Sequence, residues 1–276
     1  MTSPIKLDTN RAWQSAHAAI LSNREAFLAL AGVFFLLPTL AFALFNPQPP
    51  AATAPMSPEQ AAAFFEKFYR DALPFMLLTI VAQTIGAMAI FRLLTHSNRP
   101  TVGDALGKGL VDTVAFFAAA LMVGLAEMVA AVLIIGLGVA TGIKPVAGIA
   151  AAVAVGALLY ISVRVVLVMP AIAVEGIRNP AKALRRSWEL TRGNAGRIVL
   201  FLLLLGLAAA VINAVVALVL GLVLALALGA KGAAIAVAVV SSAISAAFTL
   251  YLYTALASIH RQLAGPTAAE LGTTFD

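Results

Sequence analysis

This sequence predicts an all-α, polytopic membrane protein: one membrane-embedded helical domain over residues 1–276. Three observations predict it. Hydrophobic residues fill 62% of the chain and charged ones 11%, against roughly 25% charged in an ordinary soluble domain. Six apolar runs each reach the length of about 20 residues that a helix needs to cross a bilayer. Lys and Arg gather on alternate connections between those runs. A soluble enzyme, a nucleic-acid-binding domain and a disordered chain are excluded, because about half of a globular surface must be offered to water as polar groups.

Residues 1–25 read as a cytoplasmic interfacial tail with Lys6, Asp8, Arg11, Arg24 and Glu25. No short basic stretch leads directly into an apolar one, so a cleaved signal peptide is not expected. The first run, Ala26–Phe45, therefore inserts the chain and stays. Residues 46–72 form an extracytoplasmic loop whose first half is a Pro-rich linker. Ser57-Pro58-Glu59-Gln60 then opens a helix as a capping box, with Phe64, Phe65 and Phe68 on its apolar side. That helix is expected to lie on the outer leaflet or to cover an outward cavity. Pro74 is expected to kink its junction with the second run, Leu73–Leu94.

The third run is Val111–Ala140, the fourth Gly148–Val174, the fifth Arg197–Gly229 and the sixth Ala233–Ile259. Gly and Ala are frequent in them, which lets helices pack closely in lipid. Thirteen Lys and Arg fall on the tail, the second-to-third and fourth-to-fifth connections and the C-terminal segment. Four fall on the opposite side, at Lys67, Arg70, Lys144 and Lys231. Both termini are therefore expected in the cytoplasm, and the net charge of +6 reads as the positive-inside signal rather than as a nucleic-acid footprint.

The basic elbow at 175–197 carries the most information. Asn179 can cap a helix that starts at Pro180, and Gly193 can stop it. Ala181, Leu184, Trp188 and Thr191 would share its apolar face. Lys182, Arg185, Arg186 and Glu189 would occupy the opposite face, the basic ones facing phosphate and cytosol together with Arg192, with Trp188 at headgroup level. This surface reads either as a topology anchor or as a docking face for anionic phospholipid or a membrane-protein partner. Fainter echoes precede the first run, around Trp13, and the third, from Arg99-Pro100 to Ala105-Leu106-Gly107-Lys108. They predict three units, each an elbow helix followed by a transmembrane hairpin.

Pro170 to Gly176, then Asn179 to Asn194, resembles the bacterial membrane domain named after glycerophosphoryl diester phosphodiesterases. The residues that carry the likeness are Pro170, Glu175, Asn179, Pro180, Leu184, Ser187, Trp188, Gly193 and Asn194. The resemblance implies six spans in the bacterial inner membrane. It also implies that any phosphodiesterase chemistry belongs to a separate soluble domain, for which no room is expected here.

Polar residues inside apolar runs need a reason, since a charge at mid-bilayer is costly. Glu127 lies deep in the third run and Arg164 deep in the fourth. Counted from the loop between them at ~1.5 Å per residue, their depths differ by only ~5 Å. They are expected to form an ion pair, either structural or part of an ion, proton or headgroup pathway. Gln83 and Asn213 are mid-run amides that extend this network or bond singly between helices.

Catalytic patterns are not evident. His17, His96 and His260 lack metal-ligand spacing, so no metal and no cofactor is expected. Ser241, Ser242 and Ser245 have no mid-span His or Lys to activate them and read as packing residues. Asp104 and Asp112 read either as an acid pair at the inner interface or, more simply, as loop caps. The leading expectation is a non-enzymatic protein that binds lipid or a membrane partner, including a second copy of itself. A transporter or channel comes next, and a membrane-embedded lipid-headgroup enzyme last.

Overall fold

The computed structural model describes residues 6–45, 57–94 and 101–265. The Pro-rich linker, His96 and the Arg99–Pro100 echo lie outside them. Among the described residues there are helices and no strands. In order they are α1 (Thr9–Ser22), α2 (Arg24–Ala31), a π-helical turn (Gly32–Leu36), α3 (Leu37–Phe45), α4 (Pro58–Leu93), α5 (Val102–Ala140), α6 (Lys144–Val165), α7 (Val168–Glu175), α8 (Pro180–Thr191) and α9 (Ala195–Ala264). They gather into two compact units, one holding residues 1–22, 88–204 and 253–276, the other 23–87 and 205–252.

Five helical stretches are long and apolar enough to cross a membrane: Arg24–Phe45, Glu59–Leu93, Val102–Ala140, Lys144–Glu175 and Ala195–Ala264. Their outward side chains are apolar, with Leu226 85% exposed and Leu218 73%, as a lipid-facing surface requires.

In the 23–87, 205–252 unit, the first stretch changes to π geometry just before Pro38. A proline cannot donate to the residue four back and its ring crowds that carbonyl, and a wider turn relieves both. Thr79 Oγ1 donates to the Pro38 carbonyl at 3.5 Å, and Gln83 Nε2 to Thr39 Oγ1 at 3.2 Å. Gly86 meets Phe34 and Phe35 so closely that a Cβ there would overlap Phe34. The capping box forms as expected: the Ser57 N–H donates to Gln60 Oε1 at 3.0 Å, and the Gln60 N–H to Ser57 Oγ at 3.3 Å. The expected separate outer helix does not exist, because α4 runs unbroken for 36 residues through Pro74. Within α9, Gly229 adopts φ 70°, ψ 171°, a conformation that glycine tolerates. Asn213 and Ser241 would lie ~42 Å apart in a straight helix. Instead Ser241 Oγ donates to Asn213 Oδ1 at 3.0 Å, so the chain reverses at Gly229.

In the other unit, α5 and α6 pack against each other across a turn at Gly142, whose φ is 70°. Gly138 touches Ala150 where a Cβ would not fit. Among the described residues no separate elbow precedes α5: Ala105 to Lys108 lie in its opening turns, capped by Thr101, whose Oγ1 accepts from the Asp104 N–H at 3.2 Å.

The fourth stretch breaks between α6 and α7, and α8 mends the break. Ser187 Oγ donates to the Arg164 carbonyl at 2.8 Å and accepts the Leu167 N–H at 3.1 Å. Thr191 Oγ1 also reaches the Arg164 carbonyl, at 3.4 Å. Ala183, fully buried, packs with Ala115 and Ala119 of α5 and with Val168 and Ile172 of α7. The buried face of α8 is therefore Ala183, Ser187, Leu190 and Thr191; of the expected apolar face of Ala181, Leu184, Trp188 and Thr191, only Thr191 belongs to it, with Leu184 packed at its edge. Small and hydroxylated residues win that face because they must approach bare backbone.

Ser187→Ala should lower unfolding stability in detergent by about 1–3 kcal/mol, since the buried Leu167 N–H loses its partner and the Arg164 carbonyl keeps only the longer Thr191 contact. Unchanged denaturant or thermal midpoints would contradict this role.

Candidate functional site

The site lies at the end of α6, where α8 passes over it and α9 begins. A cavity of about 610 Å³ is lined by Tyr160 and Arg164 of α6, Trp188 and Glu189 of α8, and Arg192, Gly193, Ala195 and Gly196 of the α8–α9 turn and first turn of α9. Arg164 is only 4% exposed. Its guanidinium carbon sits 4.5 Å from the Trp188 ring centroid and 6.0 Å from that of Tyr160, an arrangement in which the negative ring faces attract the cation. The two rings meet edge to face, 5.8 Å apart.

The expected Glu127–Arg164 ion pair does not form. Arg164 Nε and Glu127 Oε1 are both buried without a hydrogen-bond partner. The count that paired them started after a loop taken to reach Ala147. In fact α6 already begins at Lys144, which puts Arg164 ~30 Å along it, whereas Glu127 is only ~20 Å back from Ala140. Gln83 and Asn213 do not join the pair either; their partners are Thr39 and Ser241, so each makes a single interhelical bond.

The elbow opens as the sequence predicts, with Asn179 Oδ1 accepting the Lys182 N–H at 3.0 Å and Pro180 following. Gly193 turns the chain after it with φ 80°. The next polar residue, Asn194, does not cap α9 with its side chain. Its Oδ1 accepts the Leu7 N–H at 2.8 Å instead, and Arg197 Nη1 donates to the Leu7 carbonyl at 3.1 Å. The segment before α1 is thereby tied to the α8–α9 turn.

The basic residues divide into two groups. Lys182 is exposed, Arg185 makes an exposed pair with Glu189 at 2.9 Å, and Arg192 is exposed. Arg186 points inward: its Nε donates to both oxygens of Glu175, at 2.8 and 3.0 Å, and so leaves the expected lipid face. Glu175 also bonds His260 Nε2 at 2.8 Å, a histidine 1% exposed. Pro170 is buried in α7, and Leu184 packs against the α5–α7–α8 core.

A second carboxylate hub lies nearby in the chain. Asp112 is fully buried; Arg92 reaches its Oδ2 at 2.6 Å and Arg178 its Oδ1 at 3.7 Å. Asp112 is thus not the loop cap it was read as, whereas Asp104 is one. Asp112, Tyr160, Glu189 and the His260 contact were missed as site residues. A faint signal existed in the i, i+4 spacing of Tyr160 and Arg164 at a helix end.

Residues 144–264 match the family model described as the membrane domain of glycerophosphoryl diester phosphodiesterase. The resemblance carried by the 170–194 motif is thereby shown. With the apolar helices, it makes this chain an integral membrane protein. Comparison with curated proteins and with solved structures finds no match. Every residue lining the cavity falls inside the segment that matches this membrane domain.

Asp112→Ala should destabilise the protein by about 3 kcal/mol, because it strands the largely buried Arg92 guanidinium. Glu189→Gln should cost no more than about 0.5 kcal/mol, as an exposed i, i+4 pair is worth little. Equal losses in a chemical-unfolding series would contradict the division into buried hub and surface pair.

Proposed function

We propose that this protein is a non-enzymatic, six-span component of the bacterial cytoplasmic membrane, with both termini in the cytoplasm. It holds anionic phospholipid at its basic elbow. The reversal at Gly229 supports counting α9 as two spans, which gives three antiparallel pairs. The Lys and Arg distribution supports the orientation.

The observation that carries the reading is the outer surface of α8. Lys182, Arg185 and Arg192 stand exposed beside Trp188, which is 40% exposed. They flank two stretches apolar enough to span a membrane. A cationic face with an amphipathic aromatic at headgroup depth attracts anionic lipid by about 1 kcal/mol per basic residue near the surface.

Two measurements test this. The chain has no cysteine, so single cysteines report topology cleanly. Lys182→Cys should react from the cytoplasmic side only and Lys67→Cys from the periplasmic side only; the reverse pattern would sink the orientation. In nanodiscs of phosphatidylglycerol and phosphatidylcholine, Lys182→Glu with Arg185→Glu should deplete phosphatidylglycerol retained by the protein. Wild-type retention in a normally inserted double variant would remove the lipid-docking role.

A further inference from the structure

We infer that the cavity between α6, α8 and the start of α9 is a binding site for a phosphate-bearing ligand, gripped by Arg164 and Arg192. This deepens the lipid reading above by naming a recessed headgroup site in place of a diffuse charged face.

Arg164 carries the argument. It is 96% buried, its Nε has no hydrogen-bond partner, and it lines the cavity. A desolvated cation is costly unless an anion or acceptor compensates it. Among the described residues no carboxylate lies within ion-pair reach of it. Trp188 and Tyr160 supply ring faces to the guanidinium, but ring faces leave its in-plane N–H donors free for oxygen acceptors. The one acid in the lining, Glu189, is already tied to Arg185.

The other walls complete the chemistry. Arg192 brings a second guanidinium without an ion-pair partner among the described residues. The first N–H groups of a helix have no acceptor within it, and here they belong to Ala195 and Gly196 in the lining. The usual cap is diverted, because the side-chain Oδ1 of Asn194 accepts the Leu7 N–H. A Cβ on Gly196 would meet nothing within 4 Å, so the backbone is open to close approach. Two guanidinium groups on different walls and a helix N-terminus call for a tetrahedral anion whose oxygens face several walls, which a phosphate monoester or diester offers and a planar carboxylate does not. About 610 Å³ admits a phosphate with a glycerol-sized substituent.

Trp188 makes the test direct. The chain has two tryptophans, so Trp13→Phe leaves Trp188 as the sole reporter in the full-length protein. Dihexanoyl phosphatidylglycerol should change its fluorescence saturably, and dihexanoylglycerol, which lacks phosphate, should not. Arg192→Gln should weaken the titration about tenfold or more, equivalent to about 1.4 kcal/mol, and Gly196→Phe should abolish it. Inorganic phosphate and glycerol 3-phosphate run in parallel: weaker binding by both assigns the site to a lipid headgroup, and equal binding assigns it to free phosphate. The titration is repeated at about 1 M salt, where the Debye length is about 3 Å. There the exposed face loses its hold while the recessed site keeps much of its own, so failure of either reading shows separately. An unsaturable response, or wild-type affinity in both Arg192→Gln and Arg164→Gln, would overturn the proposal. If Arg164→Gln fails to fold, Arg192→Gln decides alone.

Discussion

The hydroxyl of Ser187 is the contact on which the site depends. An interruption inside an apolar helix bares an N–H and a carbonyl, and hydrocarbon offers neither a partner. Here the bared groups are the Leu167 N–H and the Arg164 carbonyl, and one side chain satisfies both. That fixes α8 at the break in a single register. A register change of one residue would carry Ser187 about 100° around the helix and leave both groups unpaired. Because α8 is fixed, Trp188 lands over the guanidinium of Arg164 and Glu189 lands at the cavity wall. The break also ends α6 one residue after Arg164, so the same interruption creates both the charge's position and the means of covering it.

Charge is handled by two carboxylates rather than by spreading cations over the surface. Glu175 gathers Arg186 and His260; Asp112 gathers Arg92 and Arg178. Each hub joins segments far apart in sequence. The Glu175 hub draws Arg186 off the exposed face, whereas Arg178 on the Asp112 hub stays exposed. What remains exposed on the elbow is a smaller set, led by Lys182 and Arg192. Arg164 has no such hub. Asp112 and His260 each keep one buried atom without a hydrogen bond, but each has an oppositely charged partner; among the described residues Arg164 has none, and it faces a cavity.

The sequence made local features legible and long-range ones not. The Asn179 cap, Pro180, the Ser57–Gln60 capping box and the helical class follow from residues within one turn of each other, and the structure has them. The family motif was readable for the same reason. The face that α8 buries was misread because hydrophobicity was taken to choose it. The buried backbone at the α6–α7 break favoured Ala183 and Ser187 instead, and nothing in the sequence of α8 announces a break in another helix. Arg186 looked like its neighbour Arg185, and only the distant Glu175 separates them. The supposed Glu127–Arg164 pair failed on the loop boundary, since α6 begins at Lys144 and carries Arg164 further along than a count from Ala147 allows. Pro74, expected at a junction between two helices, lies inside α4, which continues through it.

The segment matching the family model and the parts outside it play different roles. Ser187, Trp188, Arg164, Arg192 and the first turn of α9 all lie within 144–264. Leu7, which draws the side chain of Asn194 away from the helix it would cap, lies outside, as do Asp112 and Arg92. A segment outside the match thus changes the chemistry inside it. Were Asn194 free to fold its side chain onto the opening N–H groups of α9, those donors would be spent within the protein. With Leu7 holding it, they remain at the cavity wall, beside two guanidinium groups. The N-terminal segment therefore acts on the site without touching its lining, by deciding which way a single amide side chain turns.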